Sequence, residues 1–229
     1  QKKHGARFRG FVDKDAVFER FWSWRAGLGW LGKNTMLIHR KLGSYIFLGG
    51  LFTDLELTPD EPYRDHCGKC TKCIEACPTQ AFVKPHVLDS NKCIAYHTIE
   101  NRGPIPQEVM ERSSTWIAGC DICQQVCPWN DPIPETAHFK KENQAFDASF
   151  MDLAQWTRQD FKERMRGVAM SRMKYAGFLR NFTVAISNSS LEAPFKQKLF
   201  SRIEQHMQGL SNEQGLKAVQ SALEWAKSR

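Results

Sequence analysis

Residues 147–229 repeat apolar side chains at helical spacing. The pattern predicts helices over 150–155, 158–166, 173–187, 192–206 and 213–227. Leu216, Val219, Leu223 and Ala226 mark one face of the last helix, and Pro194 falls in a first turn, where a missing N–H is tolerated. The amino-terminal stretch is patterned differently. Residues 8–12 read as a short strand, Asp13-Lys14-Asp15 as a polar turn, and residues 16–25 as a helix carrying Phe18, Phe21 and Trp22. Asp13 or Asp15 is placed to cap that helix. Residues 35–39 and 44–52 have β character, and 47–52 reads as a buried strand. Residues 63–130 alternate loops with short helices after cysteines. A break falls at Gly103-Pro104-Ile105-Pro106, and the stretch ends at Asp131-Pro132-Ile133-Pro134.

The length of 229 residues and 41% hydrophobic content suffice for one or two domains with real cores. No apolar run reaches the length of a membrane span. The chain starts at Gln1, and its basic start lacks the apolar stretch of a secretory signal. Its net charge of +7 is uneven: residues 1–41 carry +7, residues 42–130 carry −4 and residues 131–229 carry +4. Basic ends suit a polyanionic partner such as nucleic acid. An ordinary solvated basic surface is the plainer alternative.

The middle section carries all eight cysteines. Cys67, Cys70, Cys73 and Cys77 stand at Cys-x2-Cys-x2-Cys-x3-Cys spacing before Pro78. Cys120, Cys123 and Cys127 follow before Pro128, and Cys93 stands alone between the runs. The first run has the spacing that wraps a [4Fe–4S] cluster in bacterial ferredoxins, where the fourth cysteine turns to a second cluster. This assigns Cys67, Cys70, Cys73 and Cys127 to one cluster, and Cys77, Cys93, Cys120 and Cys123 to the other. Zinc is the first alternative for Cys-x2-Cys pairs, but it leaves the dense first run and both Cys-Pro ends unexplained. A disulfide framework is the second, expected in short secreted chains. Reduced thiols on iron imply a reducing compartment, the cytoplasm.

Gly27, Gly29 and Gly32 formally match a dinucleotide fingerprint, but a helix-like segment precedes them where a strand is needed. What three glycines allow is close approach of backbone to a bulky ligand, or a tight structural turn. Residues 162–180 hold Lys162, Arg164, Arg166, Arg172, Lys174 and Arg180 against Glu163 alone. They read as a phosphate-contacting face, with a solvated helix face as the alternative. His97 reads as structural, with an axial-ligand or proton-relay role as the other possibility. Trp22, Trp24, Trp30 and Trp129 read as packing residues.

The stretches Val12-Asp13, Arg25-Ala26-Gly27-Leu28-Gly29-Trp30-Leu31-Gly32-Lys33-Asn34-Thr35, Leu42-Gly43-Ser44 and Thr53-Asp54-Leu55 resemble epoxyqueuosine reductase. So do the first cysteine run with Pro78-Thr79, Gly119-Cys120-Asp121, Cys127-Pro128-Trp129-Asn130 and Phe178-Leu179-Arg180-Asn181. The resemblance covers nearly the whole chain. It implies reduction of the epoxide of epoxyqueuosine in tRNA to an alkene, the last step of queuosine synthesis. It further implies a cobalamin fed with electrons by two [4Fe–4S] clusters, an external electron donor, and a helical domain that helps hold the tRNA. Asp13 is then the proton donor. Arg25, Lys33 and Asn34 become candidate cobalamin contacts beside Gly27, Gly29 and Gly32, and Arg172, Lys174 and Arg180 candidate tRNA contacts. Family members carry further chain upstream that completes the cobalamin fold.

The expected architecture is therefore α+β. A partial nitroreductase-like cobalamin-binding domain covers residues 1–62, a bacterial ferredoxin-like module with two clusters covers 63–134, and an all-α HEAT-like domain covers 135–229. The expected state is a monomer without membrane contact. Two other functions stay open on the sequence: a cobalamin-dependent reductive dehalogenase, and a ferredoxin-type electron-transfer protein.

Overall fold

A computed structural model describes residues 5–13, 15–132 and 148–229. The expected mixture of strand and helix is present, with helix predominating. The carboxy-terminal helices follow the hydrophobic period closely: α6 Phe150–Gln155, α7 Arg158–Arg164, α8 Lys174–Asn188, α9 Ala193–Met207 and α10 Glu213–Lys227. Their starts have clear causes. Ser149 and Thr157 accept from the backbone N–H of Asp152 and Asp160, whose carboxylates accept in return from the cap residues. These reciprocal pairs satisfy amides that have no partner inside the helix. Asn212 caps α10 through a 3.0 Å bond from the Gln214 amide.

Helix α8 is buried on every side, with Phe178, Leu179, Phe182, Ala185 and Ile186 at its centre. It packs on α9 and α10. A Cβ at Gly215 would press on Ala176, so this glycine lets α8 and α10 close together. Phe182 meets Phe150 edge-on at 5.4 Å and stacks on Phe178 at 5.8 Å.

The chain separates into two compact units. The first comprises Gln1–Cys77, Phe82–Leu88 and Ile122–Glu135; the second comprises Pro78–Ala81, Asp89–Asp121 and Thr136–Arg229. The cysteine-bearing stretch 63–134 contributes residues to both units. Side chains explain the division. Within the second unit, Asn181 Nδ2 donates to the carbonyls of Thr98 at 2.7 Å and Ile117 at 2.8 Å. Asn188 Nδ2 donates to Met110 O at 2.7 Å. These bonds fasten α3 (Ile94–Ile99), α4 (Gln107–Arg112) and their loops to α8.

In the first unit the β structure is three two-stranded ribbons. β1 (Phe8–Phe11) pairs antiparallel with β4 (Gly50–Thr53), β2 (Trp30–Leu31) with β3 (Leu37–Ile38), and β5 (Phe82–Lys84) with β6 (Val87–Leu88). The buried strand expected over 47–52 is corrected. Only Gly50–Thr53 is extended, and Phe47 and Leu51 are 84% and 67% exposed. Both strands of the β1–β4 ribbon are largely exposed, unlike the β2–β3 pair, where Trp30, Leu37 and Ile38 are buried. The first helix is also shorter than expected: α1 is Glu19–Arg25, its cap residue is Phe18, and neither Asp13 nor Asp15 caps it.

Phe182→Ala should lower stability by about 3–5 kcal/mol, the range for truncating a buried aromatic. Denaturant unfolding of the purified protein reads this directly, and a loss below about 1 kcal/mol would place Phe182 outside the essential core.

Candidate metal centre

The metal centre grows from a tight turn. Cys67 donates its amide to Asp65 Oδ1 at 2.8 Å, Gly68 adopts φ +51°, and the Cys70 amide returns to Cys67 O at 3.0 Å. The short helix α2 (Lys72–Glu75) then carries Cys73. A matching short helix, α5 (Ile122–Gln125), packs on α2 and leads to Cys127. Cys67, Cys70, Cys73 and Cys127 line one cavity of about 90 Å³. This is the set assigned to the first cluster, gathered from both cysteine runs. Of the other set, Cys77 and Cys123 belong to the first unit, Cys93 and Cys120 to the second.

The electrostatics of the cavity favour a cation. Burial pushes the Cys67, Cys73 and Cys127 thiols up. The other sulfurs add to this: Cys67, Cys127 and Cys70 each raise Cys73, and Cys70 raises Cys127. Four thiolates cannot share this space without positive charge, which iron supplies; metal binding then releases the thiol protons. Among the described residues no three His, Cys, Asp or Glu side chains converge on a single ion. A cube of four irons instead takes one thiolate at each corner.

The glycine loop closes this site. Lys33 Nζ donates to Gly68 O at 2.7 Å and Cys70 O at 2.9 Å. Asn34 is buried, and its Nδ2 donates to Cys123 O at 3.2 Å while its Oδ1 accepts from the Met36 amide. Both side chains are therefore engaged with cysteine-bearing backbone. Gly29 and Gly32 also serve the packing of their own chain. A Cβ at Gly29 would collide with Ile38 O, and one at Gly32 with the Ile38 and Asn34 side chains. Gly27 has φ +65° and lies against Glu61 O. Arg25 is exposed at the end of α1.

A second clamp joins Leu42-Gly43-Ser44 to Trp129-Asn130. Asn130 Oδ1 accepts from the Ser44 amide at 2.7 Å, and Asn130 Nδ2 donates to Ser44 Oγ and Gln124 O. A Cβ at Gly43 would strike Asn130, which accounts for glycine there.

Asp13 is exposed and holds φ +46°, a left-handed conformation that aspartate tolerates better than most residues. Asp15 is taken by Arg9 at 2.8 Å. The three expected tRNA contacts part company. Lys174 is exposed and lines a cavity of about 560 Å³ with Arg158, Lys162 and Arg166. Arg172 pairs with Glu100 at 3.2 Å. Arg180 is corrected: it is 1% exposed, and its guanidinium donates to the carbonyls of His97, Asn101 and Gly103 and to Asn181 Oδ1. Burial, and then Arg102, bring its pKa down to about 10, so it stays charged at neutral pH. It is a structural cation and reaches no phosphate. His97 is likewise buried, with Nε2 on Asn91 O at 2.7 Å and its other ring nitrogen on Asn101; burial lowers its pKa.

Cys127→Ser should remove the cluster held by Cys67, Cys70 and Cys73 and spare the other. Iron in anaerobically reconstituted protein should fall from about eight to about four per chain. Full iron content, or zinc in its place, would refute the crossed set.

A family model described as a 4Fe–4S double cluster binding domain matches residues 66–130. The epoxyqueuosine reductase of Synechocystis sp. is 47% identical over 177 residues, covering 76% of this chain and 61% of that protein. That of Francisella cf. novicida is 39% identical over 227 residues, covering 97% and 61%. A crystal structure of epoxyqueuosine reductase with a tRNA-Tyr epoxyqueuosine-modified stem loop matches with TM-score 0.78 at 25% identity, over 98% of this chain and 68% of that one. Another, from Bacillus subtilis with its catalytic aspartate loop swung out of the active site, matches with TM-score 0.76 at 25% identity, over 98% and 67%. The chain spans about three fifths of the length of the curated relatives it matches. On this relation, carried along nearly all of its own length, the chain belongs to the epoxyqueuosine reductase family.

Proposed function

We propose that the chain forms the larger part of an enzyme that reduces epoxyqueuosine in tRNA to queuosine. The observation that carries this reading is the cavity of Cys67, Cys70, Cys73 and Cys127 closed by the family's glycine loop. The reaction takes two electrons and two protons: both epoxide C–O bonds break, a C=C bond forms, and the oxygen leaves as water. Iron–sulfur clusters hand over electrons singly. One sits on the four cysteines just named. The other takes Cys77, Cys93, Cys120 and Cys123. An external donor refills them, in a reducing cytoplasm. Among the described residues no helix is long and apolar enough to cross a membrane.

Cobalamin, when bound, supplies low-valent cobalt, a reductant and nucleophile that amino acids cannot provide. Exposed apolar side chains of the first unit would cover part of such a group. Val12, Phe18, Phe47 and Leu51 present exposed apolar surface, with Arg25 and Gly27 in the same unit. This is the reading of residues 1–62 as part of a nitroreductase-like domain. Asp13 gives its proton to the departing oxygen. Its place between β1 and α1, and the family resemblance of Val12-Asp13, make Asp13 the candidate. The catalytic aspartate loop of the Bacillus subtilis relative supports a loop aspartate in that role.

The tRNA lies on the helical unit, read as HEAT-like. Arg158, Lys162, Arg166 and Lys174 surround one cleft with Ser211 and Asn212, a setting for phosphate oxygens. Arg158, Lys162 and Arg166 thus join Lys174 in this role, and Arg180 leaves it.

Asp13→Asn, assayed in the longest natural form of the protein, should keep its iron and lose about two to four orders of magnitude in epoxide reduction, the usual range for a general acid. Turnover near normal would eliminate Asp13 and turn attention to Asp15. Replacing Arg158, Lys162 and Lys174 together with Ala should weaken tRNA binding and flatten its salt dependence by about 0.7 in log–log slope per lost phosphate contact. An unchanged slope would make the cleft an ordinary solvated face.

A further inference from the structure

Trp30 sits inside the glycine loop and is 1% exposed. Its ring is held by Trp129 edge-on at 4.8 Å, by His66 at 5.0 Å and by Tyr63 at 5.9 Å. This cage is anchored in turn, since Trp24 Nε1 donates to Tyr63 O at 2.9 Å. Two of its members flank cluster ligands: His66 precedes Cys67, and Trp129 follows Cys127 by two positions. The indole N–H is nonetheless a buried donor that completes no hydrogen bond among the described residues. A buried donor left unmade costs free energy, so one in a well-packed cage points to an acceptor that arrives later. The candidate acceptor is the sulfur of Cys67, the residue that follows His66 of the cage. The Lys33 amide and the Trp30 indole each favour the Cys67 thiolate against the upward push of burial, although the indole completes no bond to the uncharged thiol. A thiol is a weak acceptor, whereas a thiolate on iron is a stronger one.

We propose that Trp30 is a positioning residue of the Cys67 cluster, whose indole N–H donates to the Cys67 thiolate and raises the cluster's reduction potential. The proposal rests on the iron–sulfur reading of the cavity. Adding an electron increases negative charge on the sulfurs, so a donor aimed at one of them stabilises the reduced form more than the oxidised form. Hydrogen bonds to sulfur are among the levers that set such potentials. The Lys33 amide acts in the same sense, and the Lys33 ammonium adds positive charge at Gly68 O and Cys70 O. The glycine loop is in this light an electron-tuning element.

Trp30→Phe keeps the aromatic packing and deletes the N–H. In protein reconstituted with iron and sulfide, potentiometric titration followed by electron paramagnetic resonance resolves the clusters. At the wild-type midpoint potential of the Cys67 cluster, Trp30→Phe should lower its reduced-to-oxidised ratio by about tenfold, equal to about 59 mV for one electron. The other cluster serves as internal reference and should not move. Trp129→Phe disturbs the same cage, leaves the Trp30 N–H in place and should shift the ratio by less than about twofold on that scale. A Trp30→Phe ratio within about twofold of wild type, or an equal shift in Trp129→Phe, overturns the proposal. Protein that binds no iron in wild-type form instead overturns the cluster reading itself. If Trp30→Phe loses iron, wild-type protein with 15N-labelled indole still decides. The reduced cluster must show hyperfine coupling to an indole nitrogen, retained in Trp129→Phe, and its absence refutes the donor.

Discussion

Irregular backbone around cysteine ligands leaves carbonyls with no ladder to join, and both units depend on how those carbonyls are satisfied. A peptide that wraps a cluster turns sharply at each ligand and cannot continue as a strand or a long helix. Buried polar backbone must still be paired. In the first unit the partners are Lys33 for Gly68 O and Cys70 O, Asn34 for Cys123 O, and Asn130 for Gln124 O. In the second they are Arg180 and Asn181, which between them take the carbonyls of His97, Thr98, Asn101, Gly103 and Ile117. Each is a side chain with several N–H donors on one terminus, able to hold two or three carbonyls at once. These residues therefore draw the unit boundaries more firmly than the cysteines do.

The same bonds set the local field. The middle of the sequence is net acidic, although thiolate clusters sit there. Overall charge is therefore a poor guide to the environment of the metal, and single cations decide it. Lys33 is placed by the glycine loop within reach of the ligand turn, and Arg180 is carried by α8 into the interior. A buried guanidinium is costly unless its donors are used. Here they meet carbonyl and amide oxygens.

Helix boundaries after residue 149 were legible because an apolar stripe at the helical period leaves few alternatives; α10 agrees at both ends with the predicted 213–227. The cluster set was legible because ligand spacing encodes the geometry of a rigid cube, and Cys127 joins the first run's cavity across more than fifty residues of sequence. The misreadings share a cause: a residue's type does not say which way it faces. Arg180 looked like one more cation in a basic run, yet α8 is buried all round from Gly177 to Ile186 and has no solvent side at that turn. The apolar run at 47–52 signalled burial, but a strand is buried only where another layer covers it, and Phe47 and Leu51 are open. Trp30 looked like packing because the sequence cannot show that an indole nitrogen lacks a partner.

The glycine loop brings these threads together. Its Gly-x-Gly-x-x-Gly spacing imitates loops that cradle phosphate, and the surrounding elements rule that fold out. Gly29 and Gly32 answer to contacts with Ile38 in β3, which pull the loop into a tight form where no Cβ fits. The compact loop still directs donors to the cysteine-bearing backbone: the Lys33 ammonium to Gly68 O and Cys70 O, and the Asn34 amide group to Cys123 O. Oriented N–H groups attract anions whatever the anion is. In a phosphate loop the charge is on oxygen; here it is on cysteine sulfur. The likeness of pattern thus reflects a shared electrostatic task, and the different anion explains why the strand before the glycines and the carboxylate after them are not needed.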